Sequence, residues 1–269
     1  MAGAPEPASA VRLSTRSWIV VVAAAAGLAL AVYVPAAPWY SDTNDVQHWT
    51  LENVTVDLNS TTTFYPGDNY RYLCYVYPLT APVWGALCTQ SQQEAGGILQ
   101  PYEDAQLPLP GHTPPMELRN MYSAVFVLSS ICFSVGAFAT AVLILSRRQR
   151  VDWRASMIAA LAFLAAAALG LGIVVGVAIF QPAAVLHDFG YIGGSPGYWS
   201  TFWGSTTCSA TACGAPAGAA ASTVWGPAIG WYLEAAAGSI FLGVGLIVLR
   251  TAIHQRRDKV ASRAAVAKP

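Results

Sequence analysis

The chain has 269 residues, of which 55% are hydrophobic and 10% are charged. Soluble domains carry about 25% charged residues, so this composition excludes an ordinary soluble protein and indicates a membrane protein. The formal net charge is zero, but the basic residues are unevenly placed along the chain.

Four apolar runs each provide the ~20 residues that a membrane-spanning helix needs. They cover residues 17–36, 122–145, 155–180 and 227–249. The predicted fold class is therefore an all-α membrane four-helix bundle. The remaining segments are a lead (1–16), a first outer loop (37–121), a short link (146–154), a second outer loop (181–226) and a tail (250–269).

The first apolar run has two interpretations. Small residues follow it in the sequence VPAAP, as they do at the cleavage site of a signal peptide. The apolar core of a signal peptide spans ~7–15 residues, whereas residues 18–34 form a longer unbroken run. We therefore predict that this run is retained as the first membrane helix.

The basic residues predict the orientation of the chain in the membrane. Apart from Arg71 and Arg119, they lie in the lead, the link and the tail, which the positive-inside rule places in the cytoplasm. A basic tail can also indicate nucleic-acid binding, but beside a membrane it is a topology signal, and we expect no nucleic-acid partner. The expected location is the plasma membrane, or the inner membrane of a bacterial host, with both outer loops outside.

The first outer loop contains a predicted β-hairpin. The sequence YRYLCYVY is rich in residues that favour strands, PLTAP then breaks the run, and VWGALC resumes it. A turn near Thr80 brings Cys74 close to Cys88, as a disulfide requires. Such a bridge would place this loop in an oxidising compartment, where it braces a small extracellular β-sheet.

The segments on either side of the hairpin also carry predictions. Apolar residues at 54, 56 and 58 alternate with polar ones and predict a half-buried strand. Glycosylation sequons begin at Asn53 and Asn59, which fits an outer position in a host that glycosylates. Residues 90–115, rich in Pro and Gly, are predicted to be irregular, and residues 116–119 to start a helix that runs into the second span.

The second outer loop carries its own cysteine pair, Cys208 and Cys213. Four outer cysteines allow three connectivities, and we favour pairing within each loop because both pairs are local. The fifth cysteine, Cys132, lies in the second span, where we expect a buried apolar side chain rather than a reactive thiol.

Aromatic and small residues predict further contacts. Trp39 and Tyr40 follow the first span at the position of an interfacial anchor. Gly172 and Gly176 in the third span allow close helix approach, which we assign to packing within the bundle. The aromatic residues of the second outer loop are expected to divide between an interfacial belt and an exposed patch that marks a partner site. They are Tyr191, Tyr198, Trp199, Phe202, Trp203 and Trp225.

Glu234 is the one ionisable residue well inside a predicted span. It lies about two turns from the start of the fourth span, or ~10 Å at 1.5 Å per residue. An intramembrane carboxylate is costly and is by default a functional candidate. The alternative is a carboxyl near the outer interface that is protonated or paired with Arg119.

Short motifs resemble the claudin and peripheral-myelin-protein-like four-transmembrane superfamily, including its fungal and amastin-type relatives. They are VPAAPWY after the first span, YRYLC with WGALC in the first outer loop, and the Gly-rich fourth span GWYLEAAAGSIFLGVGLIVL. The resemblance implies family-like structural roles for Trp39 and Arg119, and a disulfide between Cys74 and Cys88. It also implies a disulfide-braced outer sheet on the bundle.

The leading functional hypothesis is a non-enzymatic four-pass protein that makes lateral or cell-surface protein contacts, as a homo-oligomer or as an accessory subunit of a larger complex. The lipid bilayer and a protein in the same or an adjacent membrane are the expected partners. No phosphate-binding loop, nucleophile elbow or metal-spaced His/Cys cluster occurs in the sequence. We therefore predict no catalytic residue, no metal site and no cofactor.

Two alternatives stay open. Four spans with a cysteine pair in each outer loop also resemble membrane thiol oxidases that pass electrons from partner thiols to a quinone. Against this, neither pair is Cys-x-x-Cys, and the segment from Cys208 to Cys213 has no basic residue to activate a thiol. The other alternative is a transporter or channel subunit organised on Glu234.

Overall fold

The computed structural model describes residues 15–51, 54–67, 69–77, 98–101, 116–148, 153–189, 201–209 and 220–266. Four long helices and six strands account for most of them. The helices are α1 (Thr15–Tyr33), α2 (Met116–Arg148), α3 (Trp153–Phe189) and α4 (Ile229–Val266). The strands are β1 (Tyr40–Leu51), β2 (Val54–Phe64), β3 (Asn69–Tyr77), β4 (Ile98–Pro101), β5 (Gly204–Ser209) and β6 (Ala220–Pro227).

All four helices are long and apolar enough to cross a membrane, which confirms the predicted multi-pass pattern. Three of them are longer than a bilayer requires. Helices α2, α3 and α4 have 33, 37 and 38 residues, which correspond to about 50–57 Å against a hydrocarbon core of about 30 Å. These helices therefore extend beyond the membrane, and α2 begins at Met116, as predicted.

The third helix is longer than the sequence predicts. The second outer loop was expected to begin at residue 181, but α3 continues through Pro182 to Phe189. A proline inside a helix removes one backbone hydrogen bond. The extension keeps other partners, because the buried Gln181 accepts a hydrogen bond from Tyr122 at 2.7 Å and Asp188 accepts one from the Leu118 amide at 2.7 Å.

The helices form a bundle in which α2 and α4 each contact both α1 and α3. Small residues allow the close approach. The Phe241 ring of α4 lies against Gly27 of α1 and Gly136 of α2, where an added Cβ would come within 2.8 and 2.7 Å of the ring. Gly172 and Gly176 do not serve this purpose. An added Cβ there would meet nothing within 4 Å, so the prediction that they pack within the bundle is wrong.

The six strands form one antiparallel sheet in the order β4-β3-β2-β1-β6-β5. Strands β1–β4 belong to the first outer loop, and β5 and β6 belong to the second. The two loops join where β1 pairs with β6, in a register that begins with Tyr40 opposite Pro227. These residues lie just after α1 and just before α4, so the junction sits directly above the bundle.

The observed strands match the predicted ones in part. The strands predicted at residues 54–58 and 70–77 are present as β2 and β3. In contrast, β4 lies within the stretch predicted to be irregular, and it pairs with the start of β3, Asn69 opposite Pro101. The proposed second half of the hairpin, residues 83–88, lies outside the described residues.

Candidate functional site

An aromatic core connects the sheet to the bundle. The Phe64 ring of β2 stacks on Tyr122 of α2 with centroids 6.0 Å apart and nearly parallel planes. Tyr40 contacts both Phe64 and Phe202, at 6.1 and 5.6 Å, and Phe202 contacts Trp231 of α4 at 5.7 Å. Because this chain of rings crosses from α2 to α4 through two strands, it holds the sheet in a fixed position on the helices.

Trp39 belongs to this core and is not an interfacial anchor. Its side chain is 0% exposed, and its indole N–H donates to the Val34 carbonyl at 3.2 Å. Its backbone N–H donates to the Phe64 carbonyl at 2.9 Å. Tyr40 is buried as well. The prediction of an interfacial anchor is therefore wrong for both residues, because the sheet covers the position where lipid was expected.

The aromatic residues of the second outer loop divide differently from the prediction. Phe202 and Trp225 are buried in the aromatic core, whereas Trp203 is 62% exposed. The other three, Tyr191, Tyr198 and Trp199, lie outside the described residues. Among those that are described, Trp203 is therefore the residue available to a partner.

The turn that carries Trp203 is fixed by hydrogen bonds. The Trp225 indole N–H donates to the Thr201 carbonyl at 2.9 Å, and the Thr201 hydroxyl donates to the Trp203 carbonyl at 2.8 Å. Gly204 follows, and an added Cβ there would lie 2.5 Å from the Trp225 ring. The turn is therefore packed against the sheet, with the Trp203 side chain facing outward.

Strand β5 forms an edge of the sheet. In the described part of the chain it pairs only with β6, and its sequence GSTTCS contains no charged residue and no proline. Ser205 and Thr207 are exposed, and Val224 on the neighbouring strand is 57% exposed. Natural edge strands usually carry charges or prolines that prevent pairing with another chain, and the described part of β5 carries neither.

An apolar groove adjoins this edge. It has a volume of about 640 Å³ and lies between the outer end of α3 and the turn of residues 201–203. Ile179, Pro182 and Leu186 form one wall, and Phe202 and Trp203 form the other. We call β5, Val224, Trp203 and this groove the β5 surface.

No protein-family model matches the chain, and no curated protein matches it.

Glu234 lies where α2, α3 and α4 meet. Its side chain is 1% exposed, and within the described residues its Oε1 atom has no hydrogen-bond partner. An added Cβ at Gly170 would lie 2.8 Å from Oε1 and 3.3 Å from the Cys132 sulfur. The carboxyl and the thiol therefore share space left by a missing side chain.

The alternative that pairs Glu234 with Arg119 is not supported, because within the described residues Glu234 Oε1 has no hydrogen-bond partner and the side chain lies beside Cys132. Cys132 is a buried free cysteine whose thiol donates to the Ala166 carbonyl at 3.2 Å. Both residues thus contribute to the contact between helices.

The remaining predicted residues lie in the sheet or outside the described chain. Cys74 is in β3 opposite Ser60, and Cys208 is in β5 opposite Ala221. Their proposed partners, Cys88 and Cys213, lie outside the described residues, so both disulfides stay predictions.

The two sequons fall in different places. Asn59 is in the middle of β2, between Asp45 of β1 and Tyr75 of β3, and it is partly exposed. Asn53 lies outside the described residues.

Sequence reasoning missed one contact that positions the outer ends of the helices. Asp188, at the end of α3, accepts hydrogen bonds from the backbone amides of Glu117 and Leu118 at 3.1 and 2.7 Å. It therefore caps the first turn of α2 from a neighbouring helix. The sequence shows Asp188 only as an acidic residue shortly after an apolar run. Its partner, the Leu118 amide, is 70 residues away along the chain, so no local pattern indicates the contact.

Proposed function

We propose that the chain is a non-enzymatic four-pass membrane protein that binds another protein through the β5 surface. The observation that carries the proposal is an uncharged edge strand beside an exposed tryptophan. An edge strand can pair with an extended segment of a partner through its backbone, and tryptophan is enriched among the residues that dominate binding energy. The partner can be a second copy, a neighbour in the membrane or a protein on an adjacent surface.

The test compares two charge-adding variants. Thr207→Lys places a cation on the exposed edge strand, whereas Thr55→Lys places the same cation on an exposed position of the central strand β2. Proteins that co-purify with the full chain in mild detergent should be lost with Thr207→Lys and kept with Thr55→Lys. Recovery of the wild-type protein alone and monomeric, or equal retention by both variants, would contradict the proposal.

The claudin-like resemblance extends this proposal. It adds a disulfide between Cys74 and Cys88. The closeness of the second pair in the sequence supports a disulfide between Cys208 and Cys213, and the proposed orientation has the sheet outside the cell and both termini in the cytoplasm. What supports the orientation is the placement of basic residues. Glycosylation at Asn59 would require the same orientation.

Thiol trapping distinguishes this function from a thiol oxidase. If the cysteine pairs brace the sheet, they should be fully oxidised and resistant to mild reductant. A stable mixed disulfide between a partner and Cys208 or Cys213 would instead support electron transfer from partner thiols to a quinone.

A second candidate function is favoured by the burial of Glu234. An intramembrane carboxyl with a free oxygen atom is a default candidate for ion or proton movement. Phe163 and Phe241 are fully buried in the same bundle, with ring centroids 5.9 Å apart. Flux through vesicles containing the Glu234→Gln variant tests this candidate, and unchanged flux would remove it.

A further inference from the structure

The end of the bundle opposite the sheet is strongly basic. Helix α4 does not stop at the membrane but continues to Val266, so the predicted tail is helical over most of its length. If about 20 of its 38 residues cross the bilayer, about 18 project beyond it, or roughly 27 Å. Every side chain from Ile253 to Ser262 is exposed. Residues 246–262 contain four basic residues and one acidic residue, Asp258. The basic residues are Arg250, Arg256, Arg257 and Lys259.

Two of the cations at this end are held on one aromatic ring. Trp153 is the first residue of α3, and the Arg256 guanidinium of α4 lies 5.2 Å from its ring centroid. The guanidinium of Arg154, which follows Trp153 in α3, lies 5.9 Å from the same centroid. Each cation is attracted to the ring, so one ring holds guanidinium groups from two helices.

The position of this group indicates which anion fits. Tryptophan is enriched at the level of lipid headgroups, and Trp153 lies two residues before the predicted third span of residues 155–180. We therefore assign its ring to the level of the bilayer phosphates. Guanidinium groups bind phosphate through two parallel hydrogen bonds. Basic sites between membrane helices on the cytoplasmic side bind anionic lipid headgroups, and the site here is formed by two different helices.

We infer that Arg154 and Arg256, held over Trp153, bind the phosphate group of an anionic phospholipid in the leaflet opposite the sheet. The site is independent of the β5 surface, since the two lie at opposite ends of the bundle. The extended α4 helix fixes the height of Arg256 relative to the membrane, because no break separates it from the span.

Native mass spectrometry of the full chain, released from nanodiscs that contain phosphatidylglycerol and phosphatidylcholine, tests the inference. The wild-type protein should retain more phosphatidylglycerol than phosphatidylcholine. The double variant Arg154→Gln/Arg256→Gln should retain about tenfold less, which corresponds to ~1.4 kcal/mol. The control Arg257→Gln/Lys259→Gln removes two charges from the same end of the bundle and should change retention by less than about twofold.

Other outcomes would overturn the inference. Equal losses in both double variants would show a diffuse attraction to the basic helix, and no loss in either would show that the site does not bind lipid. Binding of glycerophosphoglycerol, which has the headgroup without acyl chains, as tightly as the lipid would assign the site to a soluble anion.

A second variant keeps the test valid if the first does not fold. Thermal unfolding should show that each variant is folded. If Arg154→Gln/Arg256→Gln is not, Arg154→Lys/Arg256→Lys keeps the charge without the planar guanidinium, and it should bind phosphatidylglycerol several-fold more weakly. Wild-type retention by the lysine variant would contradict the role of the guanidinium pair.

Discussion

The contact between the start of α4 and the segment after α1 makes a sharp prediction for Gly230→Ala. The Gly230 amide donates to the Pro38 carbonyl at 2.7 Å. An added Cβ would lie 2.6 Å from Trp39 Cδ1 and 2.8 Å from the Pro38 carbonyl oxygen. Neither neighbour can move easily, since one is backbone and the other is a fully buried indole with its N–H hydrogen-bonded to Val34. The first turn of α4 must therefore shift.

The size of the effect follows from the same contacts. Overpacking in a closed core costs about 1–3 kcal/mol, and a weakened backbone hydrogen bond adds about 1 kcal/mol. Replacing glycine in a helix by alanine returns about 1 kcal/mol through helix propensity. Gly230→Ala should therefore be destabilised by about 2 kcal/mol. Gly176→Ala is the control for adding a methyl group to a helix, because its Cβ meets nothing within 4 Å.

The assay is denaturant unfolding of the detergent-solubilised protein, followed by tryptophan fluorescence. The difference between the two variants reports the clash and the weakened hydrogen bond at Gly230, because the methyl group added at Gly176 meets no neighbour within 4 Å. Gly230→Ala should unfold at a clearly lower denaturant concentration than Gly176→Ala. Equal midpoints would refute the reasoning and would mean that the corner at Trp39 is not rigid.

Three further substitutions test the interior contacts. Asp188→Asn keeps the size of the cap but removes its charge, and it should cost about 1 kcal/mol and speed hydrogen exchange at the first amides of α2; unchanged exchange would contradict the cap. Tyr122→Phe leaves the buried Gln181 carbonyl without its donor and should cost about 1–3 kcal/mol in the same unfolding assay, with a wild-type midpoint as the contrary result. Gly170→Ala should destabilise the protein when Glu234 is present, because the added Cβ would approach Glu234 Oε1 to 2.8 Å. The same substitution should cost much less in a Glu234→Ala background. Additive effects in this double-mutant cycle would show that the two residues do not share space.

Hydropathy predicted the four membrane helices because the bilayer imposes length and composition on each helix separately. The strands β2 and β3 were also predictable, since alternation and aromatic content are local signals. Strand β1 was not. It contains Asp42, Asn44 and Asp45, which are residue types that strands disfavour. It forms a strand because it pairs with β2 on one side and with β6 on the other, and the second partner is more than 170 residues away.

The candidate site was predictable only as a composition. The sequence predicted that some aromatic residues of the second outer loop would be exposed, but not which ones, because the register of β6 against β1 decides it. That register places Trp225 opposite Asp42 and buries the Trp225 ring, while Trp203 stays outside. The outward position of Gly176 was unpredictable for a similar reason, since nearly every position of α3 is apolar or small and no stripe marks its buried face.

The junction of the two outer loops bears on how a partner at β5 would be linked to the membrane. Strand β6 runs directly into α4, with Ala228 between them, and the Ala228 amide donates to the Trp39 carbonyl at 2.9 Å. Strand β5 pairs with β6 along its whole length. A force on β5 is therefore transmitted through one strand to α4 and, through Trp39, to the end of α1. Because rigid packing and continuous hydrogen bonding carry such coupling without a hinge, a protein bound at β5 would be fixed in orientation relative to the bundle.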